Sequence, residues 1–419
     1  MNILLKSVTI VNGSTNHLHL KKRDILIKNG IIDAIESTIE PSGKTKVIDI
    51  KNLHVSIGWF DSGVNFGEPG YEERETIENG LLTAAKSGFT DVVLNTSSHP
   101  TPDSASDIVF LKNASKNQLT NLYPLGNLTV KGEGEVLAEI YDMKNAGALG
   151  FYDYKAPMGN ANLLKIALQY AQNFEGMVFS FPLDKSISGK GIVNEGITST
   201  KLGLKGIPTL AEELQIARDL FVLEYTGGKL FIPTVSSANS VKLIADAKKK
   251  GLQVFCSVAV HNLTITDSEL ENFDTQFKVM PPLRTSADIK ALQKAVKNGT
   301  IDLVTTDHTP LNIELKHVEF DNADFGTIGL ESAFGSLNDI FGVEETIGIL
   351  TKGRSIFGLD EPEIETGKAA NLTLFTTEDT FEFSDEHIYS SSKNAIALGK
   401  TMKGKVIGSI RNNQIILNK

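Results

Sequence analysis

Two aspartates stand where apolar stretches of the sequence end, and they are the first residues that could do chemistry. Asp153 closes the stretch ALGFYD, and Asp307 directly follows IDLVTT. Carboxylates can hold a hard cation such as Mg²⁺ with several waters, and they can also move protons. Alternatively, both are hydrogen-bonded structural residues, because buried polar groups normally have partners. The two residues alone leave both interpretations open.

Histidines and a single cysteine are the other candidates. The chain has 8 histidines, of which His261 follows the apolar stretch QVFCSVAV and His308 adjoins Asp307. We treat these two histidines as possible pocket residues. Cys256 is the only cysteine and lies inside VFCSVAV. It is therefore expected to be a buried strand residue and not a nucleophile.

The elements that must position these residues follow a regular pattern. From about residue 55 to 357, short β-branched runs alternate with amphipathic stretches, which is typical of βα units and a parallel sheet. Eight strands are the number that closes a (β/α)₈ barrel, where functional side chains lie at the C-terminal ends of the strands. The strand candidates are HVSIGWF, TDVVLN, NLYPLG, ALGFYD, GMVFSF, KLFIPT, QVFCSVAV and IDLVTT.

The two ends of the chain have a different character. Residues 1–54 contain strand-like runs such as ILLKSVTIV, and the last part returns to them in NLTLFTT and KGKVIGSI. Two segments of one type that flank a barrel predict a single small domain built from both ends. We therefore predict an α/β fold with a β-sandwich formed by residues 1–54 and 361–419 and a (β/α)₈ TIM-like barrel over residues 55–360.

Charge and hydropathy exclude several classes of partner. The formal net charge is −10, from 51 acidic and 41 basic residues, and a nucleic-acid or anionic-membrane surface would need clustered Lys and Arg. No stretch reaches the roughly 20 apolar residues of a spanning helix. The start, MNILLKSVTIVNG, lacks the apolar core of a secretion signal. We expect a cytoplasmic protein without nucleic-acid or membrane partners.

The string GWFDSGVNFGEPG at residues 58–70 resembles the signature P-G-x-x-D-x-H-x-H-F-R-E-P-G of the dihydroorotases, which belong to the amidohydrolase superfamily. Two metal-binding histidines of that family fall on Gly63 and Asn65. The arginine that grips the substrate carboxylate falls on Gly67. The frame of the signature is kept at Gly58, Asp61, Phe66, Glu68, Pro69 and Gly70.

The same resemblance implies four further metal positions. The bridging carboxylate of the family matches Asp153, and its catalytic, metal-binding aspartate matches Asp307. Two zinc histidines fall on Phe181 and Thr234. Of six metal positions, only the two carboxylates therefore remain. Lys155 invites comparison with the carbamylated bridging lysine of some superfamily members, but its place two residues beyond the strand end argues against that role.

Substrate positions implied by the resemblance are changed as well. Two family asparagines fall on Ser97 and Met280, and a family histidine falls on Leu311. Strings that shape the scaffold are kept, including VNEG at 193–196, PPLR at 281–284 and FGTIGLE at 325–331. The resemblance covers nearly the whole chain, and the losses concentrate at positions of function.

These losses argue against the family's zinc. Zinc in such sites is held by imidazole nitrogen and carboxylate oxygen, and it makes hydroxide available at neutral pH. Gly63 and Phe181 offer no donor atom, while the amide of Asn65 and the hydroxyl of Thr234 are weak ligands. We therefore expect no cofactor, although zinc is the cofactor of the family.

Two functions remain open at this stage. One is a non-catalytic, dihydroorotase-like protein of pyrimidine biosynthesis that acts as a structural or regulatory partner of aspartate transcarbamoylase, as inactive chains of this family do. The alternative is an active amidohydrolase, a dihydroorotase or a related cyclic-amide hydrolase, with an altered metal site that uses Asp153 and Asp307. His261 or His308 would assist that site. A homodimer is expected in either case.

Overall fold

The computed structural model describes residues 2–13 and 16–418 of the 419-residue chain. Its strands are β1 (Asn2–Ile10), β2 (Lys22–Lys28), β3 (Ile31–Glu36), β4 (Thr45–Ile48), β5 (His54–Ile57), β6 (Trp59–Val64), β7 (Phe89–Leu94), β8 (Asn121–Pro124), β9 (Met177–Phe179), β10 (Val193–Asn194), β11 (Gly206–Ile207), β12 (Lys229–Ile232), β13 (Val254–Ala259), β14 (Leu303–Thr305), β15 (Leu372–Glu382), β16 (Thr401–Arg411) and β17 (Gln414–Leu417).

Helices of the described residues follow most of the barrel strands. They are α1 (Ile77–Lys86), α2 (Ala105–Ala114), α3 (Ile140–Ala146), α4 (Ala161–Ala171), α5 (Lys185–Ser188), α6 (Ile197–Leu202), α7 (Thr209–Thr226), α8 (Ala238–Lys249), α9 (Val260–Thr264), α10 (Ser286–Lys297), α11 (Ala333–Phe341) and α12 (Val343–Leu350).

Strands from both ends of the chain share one sheet. Its order is β17-β16-β15-β5-β1-β2-β3, and β4 pairs with β1. The two ends meet where β15 runs antiparallel to β5, with Leu372 opposite Ile57. Alternating side chains of these strands are buried together, including Ile3, Leu5 and Ile25. The predicted small β-domain built from the two termini is therefore confirmed.

Parallel strands form the wall of the barrel. One group has the order β6-β7-β8 and the other β9-β12-β13-β14. Phe151 joins the two groups, because it bridges Gly126 on one side and Val178 on the other. At the opposite seam, the backbone N–H of Asn65 donates to the carbonyl of His308 at 2.8 Å. This hydrogen bond links the two groups at that seam, and the predicted α/β barrel fold is confirmed.

Two strand candidates differ from their predictions. HVSIGWF does not form one barrel strand, because it divides at Gly58 into β5 of the terminal sheet and β6 of the barrel. A Cβ atom at Gly58 would lie 2.1 Å from the hydroxyl oxygen of Thr90, so only glycine fits where the chain passes from one sheet to the other. ALGFYD forms only the isolated bridges at Phe151.

Aromatic rings fill the barrel interior. The rings of Phe179 and Phe231 stack with centroids 4.6 Å apart, and Phe357 lies 5.7 Å from Phe231. Tyr152 continues the stack 5.6 Å from Phe179. The barrel interior is therefore packed with side chains and is not an open channel.

Candidate active site at the barrel mouth

A cavity of about 510 Å³ opens at the C-terminal ends of the barrel strands. Five of the residues matched to metal or substrate positions contribute to its wall: Asn65, Gly67, Ser97, Asp153 and Leu311. Side chains that the sequence had not assigned to a site also contribute, namely Arg74, Lys131, Tyr154, Lys155 and Asp324.

Asp153 uses both carboxylate oxygens to hold the loop after β8. Its Oδ1 accepts from the backbone N–H groups of Leu128 and Thr129, each at 3.0 Å, and its Oδ2 accepts from the Thr129 hydroxyl at 2.6 Å. Burial raises the pKa of Asp153, against the lowering effect of these bonds. The carboxylate fixes the turn beside the cavity.

Asp307 forms a buried ion pair with Lys155. The ammonium Nζ lies 2.9 Å from Asp307 Oδ2, and the two side chains are 15% and 5% exposed. Burial would lower the pKa of Lys155, but the carboxylate of Asp307 outweighs it and the pKa is raised. Burial raises the pKa of Asp307, while the ammonium of Lys155 opposes the rise. Lys155 therefore supplies the counter-charge for the Asp307 carboxylate at the mouth.

Strained backbone brings this pair together. Lys155 has φ +51° and Asp307 has φ +47°, in the left-handed region that side chains other than glycine seldom adopt. Such strain persists only where surrounding contacts determine it. At Asp307, the backbone N–H donates to the Thr305 hydroxyl at 3.2 Å. The two turns redirect both side chains toward each other over the mouth.

Asn65 acts as a donor at the seam of the barrel. Its Nδ2 donates to the Tyr154 hydroxyl at 2.9 Å, the Thr309 hydroxyl at 2.9 Å and the His308 carbonyl at 3.1 Å. Its Oδ1 is buried and has no hydrogen-bond partner among the described residues. The amide thus uses its N–H donors to hold the seam together.

Gly63 lies in β6, two residues before Asn65. A Cβ atom there would approach the Thr305 hydroxyl to 3.3 Å and Asn95 Nδ2 to 3.4 Å. The Thr305 side chain of β14 and the Asn95 side chain just after β7 therefore border this position. Thr305 also donates to Asp61 Oδ1 at 2.6 Å, so Asp61 helps to close the barrel from within.

Two other matched metal positions are apolar or point into the wall. Phe181 is buried in one cluster with Tyr152, Phe179 and Phe231, and Met280 packs against that cluster. The aromatic filling of the barrel thereby extends upward into the mouth. Thr234 is buried with φ +52°, and its N–H donates to the Ser257 hydroxyl at 3.1 Å.

Neither candidate histidine lines the mouth cavity. His308 accepts through Nδ1 from the N–H of Gly329 at 3.2 Å, and its Nε2 lies 3.9 Å from Glu75 Oε2. It therefore braces the loop before α11. His261 contributes instead to a separate cavity of about 350 Å³ beside α11. Burial, reinforced by the positive charge of Lys155, lowers the pKa of His261 to about 3, which keeps the ring neutral.

Three of the matched substrate positions lie at the mouth, and glycine, serine and leucine occupy them. At Gly67, an added Cβ atom would lie 1.8 Å from the Tyr71 carbonyl oxygen. Ser97 has a buried hydroxyl without a hydrogen-bond partner among the described residues. Leu311 is buried, and its N–H donates to Asn394 Oδ1 at 3.0 Å. Arg74 lies over the Tyr71 ring at 4.2 Å and reaches the same cavity.

Sequence reasoning missed the role of Lys155. Its distance from the strand end argued only against a carbamylated bridging lysine, and the left-handed turn at Lys155 returns the side chain to the mouth. The available signal was the cation two residues after a strand-end aspartate. Among the described residues, no group of three or more His, Cys, Asp or Glu is placed to hold a metal ion.

Comparisons with known proteins agree on one family for this chain. The model of the family described as "Dihydro-orotase-like" matches residues 54–240. The dihydroorotase of Pelotomaculum thermopropionicum is 35% identical, over 100% of this chain and 99% of that protein. The dihydroorotase of Ruminiclostridium cellulolyticum is 36% identical, over 97% and 96% of the two chains.

Solved structures support the fold. The L-hydantoinase (dihydropyrimidinase) of Arthrobacter aurescens superposes with a TM-score of 0.85 at 20% identity, covering 100% of this chain and 96% of that one. At that identity the likeness concerns the fold alone. Among the described residues, no helix has the length and apolar character needed to cross a membrane.

Proposed function

This chain belongs to the dihydroorotase family, and from that premise we propose that it is a non-catalytic member of the family. We propose further that it serves pyrimidine biosynthesis as a structural or regulatory partner of aspartate transcarbamoylase. The observation that carries the first part is the ion pair between Lys155 and Asp307, 2.9 Å apart at the barrel mouth.

Lys155 supplies the positive charge that a metal ion supplies at a carboxylate in an amidohydrolase. An ammonium differs from zinc because it offers only N–H donors and has no vacant coordination position. It can neutralise Asp307, but it cannot bind a water and convert it to hydroxide. The proposed consequence is a mouth that is electrostatically balanced without a metal and has no nucleophile for a cyclic amide.

The donor set does not fit the family's binuclear zinc. Both oxygens of Asp153 accept bonds from residues 128 and 129, and Asp307 is paired with an ammonium. Asn65 directs its NH₂ group into three hydrogen bonds. Phe181 is packed in the apolar cluster. Zinc prefers imidazole and thiolate donors to isolated amide and carboxylate oxygens, so this set of side chains does not suit it.

An active enzyme with an altered site is the weaker hypothesis. It would require Asp307 to accept a proton from water in the presence of an ammonium 2.9 Å away, and that cation stabilises the charged carboxylate. His261 could not share the work, because its ring belongs to the wall of the separate cavity beside α11. His308 is held between the loop before α11 and Glu75.

Metal content and hydrolysis test the non-catalytic proposal directly. The purified chain and the dihydroorotase of Pelotomaculum thermopropionicum would be supplied with zinc, dialysed, and assayed for bound metal and for hydrolysis of dihydroorotate. We expect stoichiometric zinc and turnover only in the relative. Tightly bound zinc in this chain, or turnover that Asp307→Ala abolishes, would refute the proposal and favour the altered enzyme.

The partnership with aspartate transcarbamoylase needs a separate measurement. Its support is the family resemblance, in which inactive dihydroorotase-like chains accompany that enzyme. We expect the aspartate transcarbamoylase from the same organism to sediment with this chain as one complex and to gain thermal stability in it. Independent sedimentation of the two proteins at micromolar concentrations would reject the partnership while leaving the non-catalytic assignment intact.

A further inference from the structure

A cavity with aromatic walls lies between α11, the end of α1 and the strands β15 and β16, and its volume is about 300 Å³. Its wall contains Phe334, Phe381, Phe383, His387 and Tyr389. The ring of His387 stacks on Phe381 with centroids 4.5 Å apart and on Phe383 at 5.8 Å. Phe381, His387 and Tyr389 remain partly exposed. Aromatic surface of this kind can receive a flat ring by stacking, and the volume lies at the lower end of small-molecule sites.

Buried polar atoms without partners belong to residues of the same cavity. Ser87, Glu331 and Asn418 line it, and their atoms Oγ, Oε2 and Oδ1 are three of the 14 such atoms among the described residues. Ser87 is 3% exposed, and the side chain of Glu331 is 2% exposed. Since a buried polar atom normally has a hydrogen-bond partner, their concentration around one cavity indicates a ligand with polar groups.

Two of these three atoms, an amide oxygen and a carboxylate oxygen, can only accept hydrogen bonds. Asn418 Nδ2 donates to the Lys86 carbonyl at 2.8 Å, which holds the amide and leaves its Oδ1 without a partner. Glu331 Oε2 lies 4.0 Å from His308 Nδ1. That nitrogen cannot donate to it, because it already accepts from the N–H of Gly329. A matching ligand therefore carries N–H donors, as a nitrogen heterocycle does.

Two lysines border the cavity, and neither ammonium forms an ion pair with a described residue. Lys86 Nζ lies 4.4 Å from the centre of the Tyr389 ring, and Lys405 Nζ lies 5.8 Å from that of Phe381. The charge of the buried Glu331 carboxylate is partly offset, since its Oε1 accepts from the N–H of Tyr389 at 3.1 Å. A phosphate monoester carries a charge of about −1.5 to −2 at neutral pH. Two ammonium groups match that charge better than the single charge of a carboxylate.

From these contacts we infer that the cavity binds a nucleoside monophosphate. The flat base lies against the aromatic wall, and the phosphate meets the ammonium groups of Lys86 and Lys405. The N–H groups of the base donate to the unpartnered oxygens of Glu331 and Asn418. None of these four residues lines the mouth cavity, so the inference is independent of the proposed function.

Calorimetric titration of the full chain with the monophosphates of uridine, cytidine, adenosine and guanosine tests the site. At least one of them should bind with a Kd below about 1 mM. The corresponding nucleoside lacks the phosphate and ribose 5-phosphate lacks the base, so each should bind at least about tenfold more weakly. Trp59, the only tryptophan, packs against Phe334 with ring centroids 5.0 Å apart. Its fluorescence should therefore change when the nucleotide binds in this cavity.

Substitutions locate the bound nucleotide. The double variant Lys86→Gln/Lys405→Gln should weaken nucleotide binding at least about tenfold without changing the response to the nucleoside, whereas Tyr389→Leu should weaken both. Lys403→Gln is the matched control, because Lys403 is an exposed lysine of the same strand that does not line the cavity. Arg74→Gln removes a cation of the mouth cavity and should also have no effect. All variants should keep the wild-type circular dichroism. The absence of saturable binding, equal binding of ribose 5-phosphate, or an affinity lost with Arg74→Gln and kept in the double lysine variant would each overturn the inference.

Discussion

The substitution Lys155→Met examines the ion pair at the barrel mouth most directly. Methionine keeps the length and apolar stem of lysine but removes the ammonium that lies 2.9 Å from Asp307 Oδ2. Asp307 would then be a buried carboxylate, 5% exposed, without a counter-charge. Since the described residues place no other cation against it, the whole cost should appear as lost stability.

Two independent estimates give the magnitude. Removing one partner of a buried ion pair costs about 3–5 kcal/mol in other proteins. Asp307 can escape the penalty by binding a proton, which at pH 7 costs about 4 kcal/mol, or about 1.4 kcal/mol for each pH unit above the ordinary aspartate pKa. We therefore expect Lys155→Met to lower the free energy of unfolding by about 3–4 kcal/mol.

Urea unfolding, followed by circular dichroism at pH 7, is the assay. Lys250→Met is the matched control, since Lys250 pairs with Glu224 at 3.0 Å but both side chains are about half exposed. That surface pair should contribute about 0–1 kcal/mol. The double variant Lys155→Met/Asp307→Asn should recover most of the loss, because no charge is then left unpaired. A loss in Lys155→Met no larger than that in the control would refute the argument that this ammonium replaces a metal ion.

Three further predictions concern neighbouring features of the same end of the barrel. Gly67→Ala should cost about 2–3 kcal/mol of stability, because its Cβ would lie 1.8 Å from a carbonyl oxygen. Gly63→Ala, whose nearest contact would be at 3.3 Å, should cost less than about 1 kcal/mol. Equal urea midpoints for the two variants would contradict the crowding at Gly67. Burial, reinforced by the charge of Lys278, lowers the pKa of Lys316 to about 7, so the unfolded chain binds more protons than the folded one between about pH 7 and 10. The free energy of unfolding of the wild-type chain, relative to that of Lys316→Met, should accordingly rise by roughly 3 kcal/mol from about pH 7 to pH 10. If this difference did not change with pH, Lys316 would lie in more polar surroundings. Finally, Asp153→Asn should destabilise the loop after β8 without changing bound metal, as judged by faster amide exchange at residues 128 and 129 and unchanged metal content; a change in metal content would show that Asp153 is a ligand.

The fold was predictable because its main signals are local. Apolar runs of strand length, separated by amphipathic stretches, are repeated along the middle of the chain, and each needs only its own residues to be recognised. The division at Gly58 was not predictable in this way. It depends on the side chains of Thr90 and Asn371, which approach Gly58 only after folding. The predicted strand ALGFYD is likewise reduced to two bridges, from Phe151 to two distant segments.

The mouth was predictable in composition but not in contacts. Matching of motifs placed Gly63, Asn65 and Phe181 at positions that bind metal in the family. The chemistry of these three residues follows from their identity. Sequence spacing could not show that the chain reverses at Lys155, because a positive φ at a lysine has no sequence signature comparable with glycine. The ion pair with Asp307, 152 residues away, is a tertiary contact that only the folded chain creates.

The retention of two family carboxylates therefore need not indicate a metal. A buried aspartate survives the loss of its metal only if another group provides charge or hydrogen bonds, because an uncompensated carboxylate would destabilise the fold. Each of the two has such a substitute within this chain. Asp153 accepts three hydrogen bonds from the loop at residues 128 and 129, and Asp307 is neutralised by Lys155. If Asp307 still served a metal, an ammonium 2.9 Å away would compete with every cation that approached, so the lysine itself argues for a structural carboxylate.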